Sequence, residues 1–471
     1  MNPASPVFVR LFTLAFSFLF LPASAVCGSG DVSLRVACFQ ADITPPLGTP
    51  LCNGLVMPAK EIVTPLTARG IILLGAGQPI VLCALDWVGI GNESYDTFRA
   101  EIARATGTVS DRVALHALHP HDAPGSDFTA ERLLAEHGLA GRMSNPEADR
   151  RALRRIVEAA QVSLASAQPV THVGFGMGKV ERVASNRRIL DPAGQRVIAM
   201  RFGACRDPRI VAAPEGVIDP LMRLVAFWNV DTPVAVLTYY ASHPHSYYGQ
   251  GGVNWECLGM AREKREKALG GVPHIHFCGA GGNVAAGKYN DGSKENRPVL
   301  AQRLEAGMER AWKSQKKISL RAEDVGWKVE PVVLPVRGAG REPGLLAKLT
   351  DPALTECERI AAAREVAFVR QMSTGHGIPV SCLWLGESRV VHMPGELFVE
   401  YQLAAQALRP DGFVAMAAYG NYGPGYIGTE AAYQQGGYET SEPASRTAPQ
   451  VEKVLTDAIR RVMGDSAVQG K

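Results

Sequence analysis

Apolar residues along this chain fall into short runs bounded by glycine, proline or polar residues, a pattern typical of buried strands. These runs predict strands at residues 70–74, 79–85, 112–118, 223–228, 234–240, 275–278, 325–336, 380–385 and 412–418. Two of the runs lead directly into a histidine-proline-histidine tripeptide. The ends of strands are where binding residues are often placed, so the tripeptides mark candidate sites.

Stretches with helical periodicity separate many of these strands. Asn145 and Pro146 form an N-cap and first-turn pair that starts an amphipathic helix reaching about residue 167. Further helices are predicted at residues 93–105, 256–269, 297–314, 352–372 and 448–463. Because strands and helices alternate without an internal repeat or a low-complexity linker, we expect a mixed α/β fold. The prediction is one large domain over residues 26–471, with a β-sheet core flanked by helices.

The first 25 residues have the pattern of an export signal. Arg10 supplies the positive charge, residues 11–21 are apolar, and Ala23-Ser24-Ala25 resembles a cleavage site. The apolar run is too short to span a bilayer. Ala25-Val26 ahead of Cys27 matches a lipoprotein signal poorly. We therefore expect an exported protein, periplasmic or secreted, without a lipid anchor.

Composition excludes several classes of partner. The 49 basic and 46 acidic residues nearly balance and form no long charge run, so nothing indicates binding to nucleic acid. No later segment has the length of apolar residues that a transmembrane helix needs. The nine cysteines lack metal-ligand spacing; an oxidising compartment would allow a disulfide, but the sequence does not indicate the pairing. The oligomeric state is equally open.

Six of the eleven histidines form three His-x-His pairs, at residues 119/121, 243/245 and 274/276. On an extended strand this spacing places both rings on one face. The HPHDAPG string after the strand at 112–118 is compatible with metal ligands or with ordinary loop histidines. Its recurrence as SHPHSYYG after the strand at 234–240 favours metal or catalytic use of His119 and His243. The third pair lies within a strand, where structural histidines are favoured.

Three other segments contain candidate functional residues. The glycine-rich loop at residues 279–287 lacks the spacing of a phosphate loop, so its glycines are better explained by close backbone approach to a pocket. Glu396 follows a buried strand at the predicted start of a helix, where the helix dipole would keep it ionised, and from this fragment alone it is better explained as an ordinary acidic residue of a first helical turn. Residues 420–438 are rich in tyrosine and glycine, which is typical of a loop lining a small-molecule site or an interface, with packing in the core as the alternative.

Seven short motifs between about residues 38 and 440 occur in the same order as in the neutral/alkaline ceramidases. They are ADITPP at 41–46, LDWVGI at 85–90, HPHDAPG at 119–125, SNRR at 185–188, SHP at 242–244, PGE at 394–396 and YIGT-x-x-x-Y-Q-x-x-x-Y-E at 426–439. The chain therefore resembles the catalytic domain of that family. This resemblance implies a ceramidase-like α/β domain.

The resemblance also implies a set of site residues. In that family two histidines, a glutamate and a tyrosine hold one catalytic zinc ion, and the matching residues here are His119, His243, Glu396 and Tyr426. Two neutral imidazoles and a carboxylate leave a position for a water molecule that zinc activates. His121 would then carry the proton to the leaving amine. Two further residues match positions that steady the oxyanion: Arg187 and Tyr438.

The chain departs from the ceramidase pattern in three places. The family's loop carries an aspartate and a serine that is important for activity, whereas this chain has Asn283 and Ala285. The aspartate expected after His243 is replaced by Glu256. These three residues are candidate substrate-binding positions, and the missing serine leaves the substrate open. The C-terminal β-sandwich domain of ceramidases is also expected to be absent.

These observations favour an exported zinc hydrolase that cleaves an N-acyl (amide) bond, acting on a small-molecule or lipid-like amide as in sphingolipid metabolism. The fold does not fix the substrate. One alternative keeps the zinc but acts on a carbohydrate or an ester, because the loops are polar and rich in glycine. Another is a catalytically inactive binding homologue.

Overall fold

Three large β-sheets form the framework, in a computed structural model that describes Met1 and residues 33–338 and 340–464. Helices pack around these sheets, so the predicted mixed α/β fold is confirmed. The predicted export signal and Cys27 lie outside the described residues.

The first sheet is built around a hairpin. Its strands, in spatial order, are Val113–Ala117, Gly77–Leu85, Thr67–Gly75, Arg35–Asp42 and Gln168–Pro169. The first two strands pair in parallel and the remaining neighbours pair antiparallel. Parallel strands need a crossover, and the helix Asn92–Thr106 supplies it.

The second sheet has the same arrangement. Its strands, in spatial order, are His274–Cys278, Thr232–Tyr240, Leu221–Asn229, His172–Lys179 and Lys316–Ser319. Again only the first two are parallel, and the helix Glu256–Ala268 connects them.

The third sheet repeats the arrangement with one strand fewer. Its strands, in spatial order, are Val414–Ala417, Ser388–His392, Ile378–Leu385 and Val325–Val332. The parallel pair is joined by the helix Val399–Ala407. One topology therefore occurs three times, although the sequence contains no detectable repeat.

The parallel edge strands of the three sheets meet at their carboxyl ends. The Ala117 amide donates to the Tyr419 carbonyl at 3.0 Å, and the Ala418 amide donates to the Cys278 carbonyl at 2.9 Å. Deeper in the protein, a buried ion pair between Asp86 and Arg262 at 2.9 Å links the first sheet to the crossover helix of the second. Residues that follow the strands are therefore directed into one region.

Most predicted helices agree with the structure to within a few residues. The side chain of Asn145 accepts a hydrogen bond from Ala148 at 3.1 Å, as expected of an N-cap. The helix predicted at 352–372 is observed as Glu356–Ser373, and the helix Glu342–Thr350 ahead of it was not predicted. The helices are Asn92–Thr106, Phe128–Glu136, Pro146–Ser163, Pro208–Ala212, Glu256–Ala268, Asn296–Ser314, Glu342–Thr350, Glu356–Ser373, Val399–Ala407, Glu430–Gln435 and Val451–Met463.

The sequence-based expectations about transmembrane helices and disulfides can be compared with the described residues. Within residues 33–338 and 340–464, none of the helices combines the length and apolar character required to cross a bilayer. In the same part of the chain the cysteines are free thiols.

Candidate metal centre

The candidate centre is built from segments that follow the strands of all three sheets. His119 comes directly after the first sheet's edge strand, in a left-handed backbone conformation with φ of +65°. Its amide donates to the Trp87 carbonyl at 2.9 Å, which anchors the strained turn. His243 follows the strand Thr232–Tyr240, which lies next to the edge of the second sheet, and its amide donates to the Val284 carbonyl at 2.9 Å. Strain of this kind is concentrated at functional sites.

Backbone carbonyls orient both imidazoles in the same way. His119 Nδ1 lies 2.6 Å from the Val88 carbonyl, and His243 Nδ1 lies 2.6 Å from the Gly281 carbonyl. Each Nδ1 donates its proton to that carbonyl, which leaves the Nε2 lone pair directed at the centre. Metal-binding histidines are commonly fixed in this manner.

Glu396 and Tyr426 are brought side by side by a short parallel β-bridge. Glu396–Leu397 pairs with Tyr426–Ile427, and the helix begins only at Val399. The prediction that Glu396 starts a helix was therefore wrong: its amide donates to the Gly425 carbonyl at 2.9 Å instead. The short bridge, rather than a helix end, holds the carboxylate in place.

The ligand atoms lie close enough to share one ion. Glu396 Oε2 lies 3.0 Å from His243 Nε2 and 3.3 Å from His119 Nε2, while Tyr426 Oη lies 3.3 Å from His243 Nε2. Ligands about 2.0–2.1 Å from a tetrahedral ion would be roughly 3.3 Å apart. The buried group of His119, His243 and Glu396 can therefore hold a metal ion, and the donor types suit zinc.

The electrostatic environment of these side chains fits the same role. Burial would raise the pKa of Glu396, but the neighbouring His119 and His243 outweigh it and hold that pKa well below its usual value. Burial lowers the pKa of His243 to about 4, so its imidazole is neutral at pH 7. Burial raises the pKa of Tyr426 well above its usual value, and the adjacent Arg187 opposes this effect.

The three predicted catalytic residues surround this centre. His121 Nε2 is 3.3 Å from His119 Nε2. Arg187 donates from Nη1 to Tyr426 Oη at 2.9 Å. The Tyr438 ring packs edge-on against the Tyr426 ring, with centroids 5.8 Å apart. All three therefore lie next to the candidate ligand residues, and their catalytic roles stay a prediction.

Two partners of the site were missed from the sequence. Tyr422 donates from its hydroxyl to Glu396 Oε1 at 2.9 Å, which orients the carboxylate. Glu439 is fully buried, 3.1 Å from Arg187 Nε and 3.5 Å from Arg188 Nη1. Tyr422 belongs to the tyrosine-rich loop, and Glu439 is the last letter of the YIGT motif. The sequence therefore showed that both residues belong to candidate segments, but it did not indicate that they contact Glu396 or Arg187.

The three candidate substrate-binding residues make their contacts with protein groups. Glu256 accepts from Ser246 Oγ at 2.7 Å and pairs with Arg297 at 3.1 Å behind the second histidine loop. Ala285 is buried, and its carbonyl accepts from Ser185 Oγ at 2.9 Å. Their role in binding a substrate stays a prediction.

Asn283 has two structural functions at once. Its Oδ1 accepts from the Val399 amide at 2.9 Å, and its Nδ2 donates to the Glu400 carboxylate at 2.9 and 3.2 Å. Its carbonyl also accepts from the Arg187 amide at 2.7 Å. An aspartate at this position would lack the amide donor. The asparagine therefore suits the Glu400 carboxylate, which accepts its hydrogen bonds.

The glycine-rich loop lies against the segment that carries Glu396. The Gly282 amide donates to the Leu397 carbonyl at 2.7 Å, and a β-carbon at Gly282 would lie 2.2 Å from the Glu396 carbonyl oxygen. Only glycine fits there, in agreement with the predicted close backbone approach. The third histidine pair is structural as predicted, since His274 and His276 both contact the Thr238 hydroxyl.

Partly exposed aromatic rings border the centre. Tyr438 is 47% exposed, Phe202 is 42% exposed and Tyr248 is 44% exposed. The Tyr438 and Phe202 rings are 5.8 Å apart, and Tyr248 lies 4.5 Å from the His121 ring. These rings form an aromatic rim, and they offer apolar surface beside the polar centre.

We expect Asn283→Asp to destabilise the fold by about 2 kcal/mol near pH 7.5, because it removes a buried donor and sets two carboxylates against each other. Burial already raises the pKa of Glu400, and a second carboxylate would raise it further. A carboxyl whose folded pKa is raised destabilises the fold above that pKa, so the loss should shrink as the pH falls toward 5. Denaturant unfolding at several pH values measures both effects.

The double variant Asn283→Asp/Glu400→Gln provides the control, because it restores one donor and one carboxylate. Stability should return most of the way to that of the natural chain. An equal loss in the single and double variants would contradict the proposed contact.

No protein-family model and no curated protein matches the sequence. Among solved structures, the fold is similar to a neutral ceramidase from Pseudomonas aeruginosa, with 16% identity and a TM-score of 0.65 over 92% of this chain and 75% of that chain. It is also similar to a ceramidase complexed with C2, with 16% identity, the same coverage and a TM-score of 0.66. At this identity the similarity establishes the fold alone: the chain has a neutral ceramidase-like fold.

Proposed function

We propose that this protein is an exported zinc-dependent hydrolase that cleaves an N-acyl amide into a carboxylic acid and an amine. The observation that carries the proposal is the convergence of four donor atoms from separate segments at 3.0–3.3 Å. Their carbonyl-oriented imidazoles and tyrosine-oriented carboxylate form the kind of outer shell that supports a metal.

His119, His243, Glu396 and Tyr426 would hold one zinc ion per chain. When bound, zinc lowers the pKa of water and polarises a carbonyl oxygen. The rest of the chemistry falls to the protein. His121 Nε2, beside the His119 ligand atom, accepts the proton of the attacking water and delivers it to the leaving amine.

Charge that develops on the scissile carbonyl has two partners in the chain. The Arg187 guanidinium is anchored by Tyr426 and Glu439, so it presents a fixed positive charge. The half-exposed Tyr438, whose ring centroid lies 5.9 Å from the Arg187 guanidinium, would add a neutral hydroxyl donor. Preorganised donors of this type stabilise an oxyanion without needing to rearrange during the reaction.

The aromatic rim of Phe202, Tyr248 and Tyr438 favours a substrate with an apolar acyl group. Both structural neighbours are ceramidases by name. The absence of the family serine at Ala285 does not affect a mechanism in which water is the nucleophile. We therefore propose lipid-like or other N-acyl amides as the substrate class.

The metal content of the purified mature chain tests the proposal. We expect about one zinc per chain, none in His119→Ala, and less in Tyr426→Phe, because a phenol ligand is lost while the ring remains. Elemental analysis measures this, alongside hydrolysis of panels of N-acyl amides, esters and glycosides.

His376→Ala is a control in which a surface histidine is removed, and it should retain the full zinc content. Metal-free natural chain that takes up no added zinc would refute the metal centre. Zinc-loaded chain that cleaves only esters or glycosides would refute the amide specificity.

A further inference from the structure

The proposed zinc ligands leave one histidine of the two His-Pro-His loops without a role. His245 is buried, and its ring centroid lies 3.7 Å from that of His121. Ligand atoms of His119, His121 and His245 all lie within 4.8 Å of one another. The side chains of two separate loops therefore present three imidazoles to one point.

Two nitrogen atoms of this group have no hydrogen-bond partner in the described part of the chain. They are Nδ1 of His121 and Nε2 of His245, and both are shielded from solvent. A buried polar atom without a partner is unfavourable by about 1–3 kcal/mol, so it is generally explained by a water or an ion. Because the ligand atoms of these two rings and of His119 also lie within 4.8 Å of one another, a shared metal ion would account for both unpartnered atoms.

His119 belongs both to the group with His243 and Glu396 and to the group with His121 and His245, and its chemistry limits how both can bind metal at once. Its Nδ1 is bound to the Val88 carbonyl, so only the Nε2 lone pair is free, and one lone pair binds one ion. An ion held with His243 and Glu396 therefore prevents a second ion from using His119. A second ion would then be held by His121 and His245, with water completing its coordination.

We propose that His119, His121 and His245 form a second metal position, composed only of imidazoles, that overlaps the His119–His243–Glu396 position at His119. Its nitrogen ligands select Zn²⁺, Cu²⁺ or Ni²⁺ and disfavour Mg²⁺ and Ca²⁺. With the first position filled, the second binds more weakly because it has lost one imidazole. The site itself does not depend on the proposed function.

One consequence does rest on the proposed function. An ion on His121 Nδ1 leaves the proton of the neutral ring on Nε2, so Nε2 can no longer accept the proton of the attacking water, and zinc beyond one equivalent should inhibit hydrolysis. Replacing His245 should weaken this inhibition by zinc. The metal-binding measurement below is independent of that activity.

Zinc titration of metal-free chain by calorimetry and equilibrium dialysis tests the second position. The natural chain should bind two ions, one tightly and one weakly, and His245→Gln should bind only the tight one. Glu396→Gln should still bind one ion through the three imidazoles, and Glu396→Gln/His245→Gln should bind none. His276→Gln, which removes a buried histidine of the third pair, should behave as the natural chain.

Circular dichroism verifies that each variant is folded, and His121→Gln repeats the test if His245→Gln is unfolded. Co²⁺ binding is measured by the visible absorption of the bound ion. Glu396→Gln should bind Co²⁺, and Glu396→Gln/His245→Gln should not. Equal stoichiometry in the natural chain and His245→Gln would overturn the second position. If both proteins bind one ion, and replacing His243 abolishes that binding, the proposed function stands without the second position. If neither the natural chain nor any variant binds metal, the proposed function and the second position both fail.

Discussion

Glu396→Gln should lower kcat/KM for amide hydrolysis at least about a thousandfold, equivalent to about 4 kcal/mol of transition-state stabilisation. Among the described residues, this carboxylate is the one acidic group of the proposed ligand set, at 3.3 and 3.0 Å from the Nε2 atoms of His119 and His243. The amide keeps the shape but removes the negative charge that balances a divalent ion. Any zinc retained on His119, His121 and His245 would also occupy the proton carrier.

The measurement is steady-state hydrolysis with one equivalent of zinc, together with the zinc content of the variant. Glu400→Gln is the matched control, because it lies four residues further along the chain and contacts Asn283 rather than the centre. It should retain most of the activity. Glu396→Gln with more than about a tenth of the natural kcat/KM would show that this carboxylate is not a ligand that catalysis requires.

Arg187→Met should lower kcat by roughly a hundredfold to a thousandfold, the range for loss of one preorganised oxyanion donor. Its guanidinium lies between Tyr426 and the fully buried Glu439. Methionine fills a similar volume without the charge, so the variant should bind zinc while losing transition-state stabilisation. The expected pattern is a fall in kcat, with a smaller change in KM.

Arg188→Met separates this effect from general destabilisation. Arg188 contacts the same Glu439 but otherwise reaches Ala432 and Gln435, on the side away from the centre. Both variants leave Glu439 with one cation fewer, so both should lose stability. Only Arg187→Met should lose kcat. A similar loss of kcat in both variants would indicate that Arg187 acts through folding rather than on the substrate.

The threefold use of one topology explains how a centre can be assembled from distant residues. Each large sheet pairs an edge strand in parallel with the strand beside it through a crossover helix, and the carboxyl ends of these strand pairs meet. Residues that follow those strands therefore face a common space. The first sheet contributes His119, the second contributes His243, and the third contributes Glu396 and then Tyr426 through the β-bridge.

The order of secondary structure was accessible from the sequence because burial on one or both faces imposes a local periodicity. The amphipathic helix after Asn145 and the strands at 79–85 and 234–240 agree closely with the observed elements. Glu396 was assigned to a helix start because the helix at Val399 is local, whereas its partner Tyr426 is thirty residues away. Pairing between distant strands leaves no periodic signal.

The resemblance to the ceramidases supplied Glu396 and Tyr426 as candidate ligands. The sequence by itself determined the α/β class and the strand ends at which histidines occur. It did so because propensity, periodicity and residue chemistry are local properties. Tertiary structure alone decided that Tyr422 orients Glu396, that Asn283 is matched to Glu400, and that His245 lies against His121. These contacts depend on how three sheets pack, and packing geometry is set by many residues acting together rather than by any one motif.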